Sequence, residues 1–290
     1  MARSLAFTIE GLALRMLAFS GKKIESWHSV ALSPGLLKDG LISAPDRVAK
    51  VMAEAVQEKK LPRKGVLSAL PSAGSTSHVL TLPRVGGGGL EQVVQREVKR
   101  VMPGTANADY IYWQELPGKM ARKEVYALAV PRSNVLNLVD ACQAAGMKIK
   151  GIELKPFSLA RAVNCKEGVI VHGEVDSIEI VVVQDSFPGA FRNIAIKETA
   201  PTGEVAIQNM LRELPFTIDF FNRTHAEAAL SREAPVYLSG ELALSAELEY
   251  RVADATGRSV ASVEPQVTLP PDFPLAQYMA HIGLMLRGKW

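Results

Sequence analysis

Cysteine is scarce in this chain, and so are blocks of like charge. The 290 residues include two cysteines, Cys142 and Cys165, which are too few for a disulfide framework or a cysteine metal site and favour a reducing compartment. The 33 lysines and arginines are scattered and exceed the 30 acidic residues by a formal net charge of +3, so nucleic acid is not indicated as a partner. The five histidines have no metal-ligand spacing, and no metal site is predicted.

Long apolar runs are also missing. No segment reaches the roughly 18 uninterrupted apolar residues that cross a bilayer. The start of the chain is apolar enough to be compared with a leader peptide, but Glu10 and Arg15 interrupt the run and no small-residue cleavage site follows. This segment is predicted to form two strands, and the chain is predicted to be cytoplasmic.

Apolar runs separated by turn residues predict three strands near the start, over Ser4–Ile9, Leu12–Phe19 and Ile24–Leu32. Pro45 then opens a helix with apolar residues at helical spacing, and Gly65–Leu70 is apolar enough to be a buried strand. The same order of three strands, a helix and a strand returns between residues 168 and 238. The repeat is one of architecture, since the two stretches share few residues.

Between the repeats, the pattern predicts a smaller α+β unit. It contains a helix over Leu90–Val101, strands over Asp109–Gln114 and Glu124–Val130, and a second helix within Pro131–Gly146, whose final glycine is well placed as a C-cap. The glycine run Gly86–Gly89 lacks the Lys-Ser/Thr that follows in a phosphate-binding P-loop. It is predicted to be a flexible connector.

The duplicated pattern predicts an α/β protein with the two-lobed, ribonuclease-H-like fold of the actin and Hsp70 class. The predicted layout is a first lobe over residues 1–82, an inserted α+β subdomain over 83–150 and a second lobe over 167–274. In the second lobe, Phe216, Phe220 and Phe221 recur at helical spacing and are predicted to face the core.

Several short runs occur in a specific order along the chain. They are Leu36–Ile42, Ala69-Leu70-Pro71 followed by Leu82-Pro83, Gly151-Ile152-Glu153, Leu238-Ser239-Gly240 and Ile282–Arg287. In order and spacing they resemble the PilM family, whose relatives include the cell-division protein FtsA and the cytoplasmic region of the secretion protein GspL. The resemblance covers nearly the whole chain. It implies a four-part layout, in which helices over 151–166 and 275–290 return to the first lobe.

The resemblance implies a cytoplasmic scaffold of type IV pilus assembly, or of a related secretion or competence system. Such a protein binds the short N-terminal tail of an inner-membrane partner of the PilN type. It works with other pilus assembly proteins and is peripheral to the inner membrane through its partner. An extended tail can add main-chain hydrogen bonds to a strand. The candidate strands are Leu82–Val85 and Val125–Val130, with ordinary core strands as the alternative interpretation.

The resemblance also locates a nucleotide site. Actin-like ATPases hold phosphates against two turns, each with an aspartate, a spacer and a glycine, because the aspartates organise Mg²⁺ and the glycines let backbone N–H groups approach. Thr8 and Glu10 align with the two positions of the first turn, and His172 and Glu174 with those of the second. The remnant cofactor-binding positions are then Thr8, Gly11, Gly173, Asp176, Ser239 and Gly240.

These replacements oppose nucleotide binding. Both aspartates are absent, and Glu10 and Glu174 are expected to point negative charge at a triphosphate. At ~4 Å and an effective dielectric near 20, each such contact costs about 4 kcal/mol, whereas micromolar binding is worth only about 8 kcal/mol. The prediction is a protein with no cofactor, no catalytic residues and no ATP hydrolysis. The alternatives are an ATP-gated PilM-like protein with a displaced ligand such as Asp176, and a small-molecule kinase of the same fold.

Overall fold

The elements of the fold were assigned in a computed structural model. It describes residues 3–38, 40–82, 89–103, 109–116, 123–197, 202–226 and 229–287. The strands are β1 (Arg3–Glu10), β2 (Ala13–Ser20), β3 (Lys23–Ala31), β4 (Leu37–Lys38), β5 (Leu41–Ile42), β6 (Lys64–Leu70), β7 (Thr76–Leu82), β8 (Asp109–Glu115), β9 (Lys123–Pro131), β10 (Lys148–Leu154), β11 (Gly168–Gly173), β12 (Ser177–Gln184), β13 (Phe187–Ala195) and β14 (Val236–Ser239). The helices are α1 (Pro45–Glu58), α2 (Leu90–Val101), α3 (Arg132–Ala144), α4 (Lys155–Val163), α5 (Gly203–Thr224), α6 (Leu248–Thr256) and α7 (Leu275–Met285), with a 3-10 turn over Glu241–Leu244.

The chain divides into two compact units. The larger combines Met1–Ala73 with Asn137–Trp290, and the smaller is Gly74–Leu136. The predicted inserted subdomain, 83–150, overlaps the smaller unit with different ends. Strand β7 belongs to the smaller unit because it pairs with β9. Strand β10 crosses the predicted boundary at 150 and belongs to the larger unit because it pairs with β6.

The first sheet of the larger unit has the strand order β10-β6-β1-β2-β3. Strands β1 and β2 pair antiparallel from Arg3 opposite Ser20 to Glu10 opposite Ala13. Strand β6 lies parallel to β1 on its other side. Strands β1 and β2 are buried along most of their length, which explains why they are nearly continuous apolar runs.

The second sheet repeats this topology. Its order is β13-β12-β11-β14, with β11 antiparallel to β12 and parallel to β14. Helix α5 separates β13 from β14 in the chain, as α1 lies between β3 and β6. The strand-strand-strand-helix-strand repeat predicted from periodicity is therefore present in both halves of the larger unit.

Helices α4 and α7 lie between the two sheets. One continuous core contains Leu159 of α4 and Ile282 of α7 together with Leu17 of the first sheet and Val181 of the second. The helices cross so closely that a Cβ built on Gly283 would overlap the Ser158 backbone. These helices contact both sheets, whereas the sequence assigned them to the first lobe.

A second core lies on the opposite face of the second sheet. There α5 packs Ile207, Met210 and Leu214 against Val171 and Ile180 of the strands. Alternate residues of β11 and β12 therefore face α5 or the α4/α7 layer. Both faces of the sheet are covered, so its strands are apolar on both sides.

The smaller unit is a three-stranded antiparallel sheet, ordered β7-β9-β8, with α2 on one face. Val94 and Val98 of α2 pack with Leu80, Val125 and Ala127 of the sheet. The central strand is β9, with β7 and β8 at its two edges.

Candidate functional site

Two turns, one from each sheet of the larger unit, meet at the candidate site. The first is the β1–β2 turn with Glu10 and Gly11, and the second follows β11 with Gly173 and Glu174. Gly11 has φ +57°, and a Cβ added to it would overlap the Glu174 carboxylate. A glycine is needed here both for the left-handed backbone and for the space that Glu174 occupies.

Arg15 joins the two sheets through a bidentate ion pair. It lies on β2, and its Nη1 and Nη2 donate to Glu174 Oε1 at 2.6 Å and Oε2 at 3.0 Å. Nη1 also reaches Glu10 Oε1 at 3.3 Å, and Nη2 reaches Glu241 Oε2 at 3.3 Å. The side chains of Arg15, Glu10 and Glu174 are at most 3% exposed. A forked guanidinium on a buried carboxylate is the strong form of such a pair.

Glu10 is the second centre of the cluster. Its Oε2 forms an ion pair with the Lys155 ammonium, at the first residue of α4, and lies 3.1 Å from His172 Nε2. Its Oε1 accepts the Thr8 hydroxyl at 2.9 Å. Lys155 is 2% exposed, so its charge has no access to bulk water and depends on these carboxylates.

The loop after β14 closes the cluster from the second sheet. Ser239 Oγ lies 3.0 Å from His172 Nδ1, and the Glu241 backbone N–H donates to Glu174 Oε1 at 3.2 Å. Gly240 has φ +84° and lies so close to Gly173 that an added Cβ would overlap the Gly173 backbone. Ser239 and Gly240, two of the predicted cofactor-binding positions, therefore pack against the end of β11 and the second turn.

A third buried carboxylate extends the network. Glu179 of β12 accepts the Ser72 backbone N–H at 3.1 Å and the Ser72 hydroxyl. Asn193 Nδ2 donates to the same carboxylate at 3.1 Å. The charge of the Glu179 carboxylate also helps to keep Lys155 protonated. Ser72 follows β6 of the first sheet, so this contact is a further link between the sheets.

Burial and ion pairing have opposite effects on the pKa values of the groups in this cluster. Burial alone would raise the pKa of Glu10, but Lys155, His172 and Arg15 hold this pKa well below its ordinary value. Burial and the neighbouring Glu10 carboxylate raise the pKa of Glu174, against the hydrogen bonds from Arg15. Despite burial, the carboxylates raise the pKa values of Lys155 and Arg15. Arg15 and Lys155 are thus two buried cations that face two buried carboxylates, Glu10 and Glu174. All four side chains are at most 3% exposed, so water cannot replace these ion pairs.

His281 of α7 lies beside this network as an uncharged side chain. Its Nε2 is 2.9 Å from the Arg15 carbonyl oxygen and 3.2 Å from Thr8 Oγ1. Its Nδ1 is buried and has no hydrogen-bond partner among the described residues. Burial lowers the pKa of His281 to about 4, so the ring is neutral at pH 7.

The cluster also contains three groups with metal-ligand chemistry. One ligand atom each from Glu10, His172 and Glu174 lies within 4.8 Å of the others. The same carboxylate oxygens already accept bonds from Arg15 and Lys155. A metal ion at this point would have to displace two buried cations, so the donor set does not fit a resident metal.

The structure separates the predicted site residues into two groups. Thr8, Gly11, Gly173, Ser239 and Gly240 border the cluster through the contacts described above. Asp176 is half-buried in the β11–β12 turn, where its carboxylate accepts the Ser177 hydroxyl at 3.0 Å. Within the described part of the chain, no hydrogen bond or ion pair joins the Asp176 carboxylate to the cluster.

The expected repulsion by Glu10 and Glu174 needs correction. Both side chains point between the two turns, as predicted, but Arg15 and Lys155 neutralise them. A nucleotide placed between the turns would therefore meet occupied space and buried ion pairs, rather than two free negative charges. The sequence did contain a signal for this, because Arg15 interrupts an otherwise apolar buried strand and a buried charge requires a partner.

Two further predictions differ from the structure, one about core packing and one about an interaction surface. Phe221 is 4% exposed, but Phe216 and Phe220 are 54% and 56% exposed, because α5 turns only one side of this stripe to the sheet. Val125–Val130 lies within β9, whose two edges are both paired, so it cannot accept an added strand. The other candidate strand, Leu82–Val85, lies outside the described residues except for Leu82. The glycine run Gly86–Gly89 also lies outside them except for Gly89.

No helix in the described ranges is both long enough and apolar enough to cross a bilayer. The larger unit contains two sheets of the same topology, which face each other at two glycine-containing turns. This arrangement defines an actin-like fold.

Comparison with solved structures agrees with this class. Over 98% of this chain and 97% of the other, the fold is similar to that of the PilM-PilN type IV pilus biogenesis complex, with 20% identity and a TM-score of 0.78. The ethanolamine utilization protein EutJ from Carboxydothermus hydrogenoformans matches with 13% identity and a TM-score of 0.60, over 99% and 90% of the two chains. The cytoplasmic domain of EpsL, an inner membrane component of the type II secretion system of Vibrio cholerae, matches with 12% identity and a TM-score of 0.55, over 99% of each chain.

No protein-family model and no curated protein matches the chain. The predicted α/β, actin-like fold is confirmed by the structural similarities, and so is the resemblance to PilM-type structures at the level of the fold.

Proposed function

We propose that this chain is a scaffold of a type IV pilus or related secretion assembly, which works without hydrolysing ATP. The support for the first part is similarity over nearly the whole chain to a pilus biogenesis complex, together with similarity to the cytoplasmic domain of a secretion component. In this proposal the chain binds the short N-terminal tail of a PilN-like inner-membrane protein. It is cytoplasmic and reaches the membrane surface through that partner.

The observation that carries the nucleotide-free part is the charge network between the turns. Arg15 and Lys155 each bind a carboxylate where a nucleotide and its metal would need room. Breaking one buried pair by removing a partner costs about 3–5 kcal/mol. Opening both pairs would offset most of the about 8 kcal/mol available from micromolar binding.

Titration calorimetry with Mg-ATP tests this part. We expect no heat of binding up to millimolar nucleotide. Micromolar binding would overturn the nucleotide-free proposal and favour an adaptor whose partner affinity is controlled by ATP. The same titration on a variant that lacks the network, Glu10→Gly with Glu174→Gly, reports whether the network is what excludes the ligand.

For the partner, we propose β7 as the strand along which the tail lies. Among the described residues, β7 is an edge strand of the smaller unit's sheet, and its Val79 is 40% exposed. An extended peptide can pair with a free edge and place alternate side chains on the sheet. β9 offers no such edge.

Fluorescence anisotropy with a labelled peptide of a PilN-like N-terminal tail tests the proposal. Val79→Asp is expected to weaken binding at least about tenfold, since it places a charge on the contact strand. Tyr250→Asp is the control, because Tyr250 is 73% exposed on α6 in the larger unit. Absence of binding by the unchanged protein at high peptide concentration would refute the proposed partner, and equal effects of the two variants would refute β7 as its site.

A further inference from the structure

The Glu174 carboxylate has the surroundings of a bound oxyanion. Arg15 donates to its two oxygens at 2.6 and 3.0 Å. The Glu241 backbone N–H donates to Oε1 at 3.2 Å. Gly11 lies against Oε2, with no side chain in the way. A forked guanidinium, a backbone N–H and a glycine are the groups that proteins use for phosphate and carboxylate ligands.

These groups come from separate parts of the chain. Gly11 and Arg15 belong to the first sheet and its turn, while Glu241 follows the last strand of the second sheet. Glu174 also comes from the second sheet, so its carboxylate enters from one half and is held mainly by the other. The contact is almost completely buried, with side-chain exposures of 3% for Arg15 and 1% for Glu174.

We propose that Glu174 is a built-in anion. Its carboxylate takes the place between the two turns that a nucleotide phosphate would take, and it cross-links the two sheets without any ligand. This rests on the proposed function in one respect, namely the equivalence of these turns to phosphate-binding turns. The chain then contains a site for a small oxyanion that its own side chain fills.

The consequence is a specific form of chemical rescue. Truncation at Glu174 leaves the Arg15 guanidinium buried next to an empty space of carboxylate size. A small oxyanion such as formate can enter that space and restore the charge pairing, as ligands enter cavities created by truncation. Glu174→Gln fills the same space with a neutral amide, so it loses the charge but leaves no room for an anion.

The experiment measures thermal unfolding of Glu174→Ala and Glu174→Gln in sodium formate and in sodium chloride at equal ionic strength. Both variants are expected to unfold about 10 °C below the unchanged protein. About 100 mM formate is expected to raise the Tm of Glu174→Ala by about 3 to 6 °C relative to chloride, for a dissociation constant near 10 mM. Glu174→Gln and the unchanged protein should show no difference between the two salts.

Glu204→Ala is the matched control, because Glu204 also binds an arginine with both oxygens, at 2.8 and 2.9 Å from Arg251, but on the exposed surface. It should lose little stability and show no rescue. If Glu174→Ala does not fold alone, its refolding yield in formate against chloride gives the same comparison.

A Glu174→Ala protein that formate does not stabilise beyond chloride, or a Glu174→Gln protein that it stabilises equally, would overturn the proposal. Inorganic phosphate as a second probe tests whether the space also accepts a tetrahedral anion. Tail-peptide binding is measured separately on the unchanged protein, so failure of the scaffold function and failure of the built-in anion are distinguishable.

Discussion

The Glu10–Lys155 pair allows a quantitative test of the buried network. Both side chains are at most 2% exposed, and Lys155 stands at the first position of α4, within reach of the β1–β2 turn. Lys155→Met keeps most of the packed stem and removes the ammonium group. Glu10→Gln keeps the shape and removes the negative charge. Each single variant leaves a buried charge without its main partner.

The expected magnitudes follow from the difference between removing one charge of the pair and removing both. Each single substitution should lower the free energy of unfolding by about 3–5 kcal/mol, because one uncompensated buried charge remains. The double variant leaves neither charge and should lose much less than the sum of the two singles. The coupling energy is expected at the upper end of the about 0.5–3 kcal/mol found for contacting residues. Urea unfolding followed by circular dichroism measures all four proteins of the cycle.

The pH dependence supplies a second readout. The folded-state pKa of Glu10 is depressed, so its contribution in the unchanged protein is present above the unfolded pKa of about 4.3 and is lost as pH falls through the folded pKa. In Lys155→Met the main opposing charge is gone and burial raises the pKa of Glu10. The difference in free energy of unfolding between the unchanged protein and Lys155→Met should therefore become smaller as pH falls from 7 toward 4. Additive free energies, or a deficit independent of pH, would refute the buried-pair argument.

Three further predictions concern the surroundings of the network. His281 has a folded pKa of about 4 against about 6.5 when unfolded, so the unfolded state binds its proton first. Unfolding free energy should fall by about 3 kcal/mol between pH 6.5 and 4, and urea titrations of His281→Leu should lack this part of the decline. Gly283→Ala should cost about 3 kcal/mol or more, because the new methyl group overlaps the Ser158 backbone; an unchanged urea midpoint would show that the α4–α7 crossing can widen. Phe216→Ser and Phe220→Ser should each change Tm by less than about 2 °C, since more than half of each side chain is exposed, and a loss comparable to that of a core phenylalanine would restore the core-stripe interpretation.

The general architecture was predictable because its signals are local. Strands such as β1, β2 and β12 are nearly continuous apolar runs between turn residues, and α1 begins at Pro45 with apolar residues at helical spacing. Periodicity of this kind depends only on neighbours in the chain. The order of the elements then indicated a duplicated fold before any contact between them was known.

Errors of assignment arose where pairing or burial involves distant segments. β9 was a candidate for peptide binding because its sequence is apolar, yet its edges are filled by β7 and β8. Phe216 and Phe220 have the spacing of Phe221, but only the third of these aromatic residues faces the second sheet. Helical spacing identifies a stripe along one side of α5, and tertiary packing decides how much of that stripe is covered.

At the candidate site, the sequence by itself determined which residues stand in the two turns. The family resemblance placed Glu10 and Glu174 there, with Thr8 and His172 in the preceding strands at the positions where aspartates are absent. The tertiary structure alone decided what the glutamates do. Arg15 is 159 residues from Glu174 along the chain, and Lys155 is similarly remote from Glu10. Ion pairing depends on distances in space and on burial, neither of which a local pattern contains.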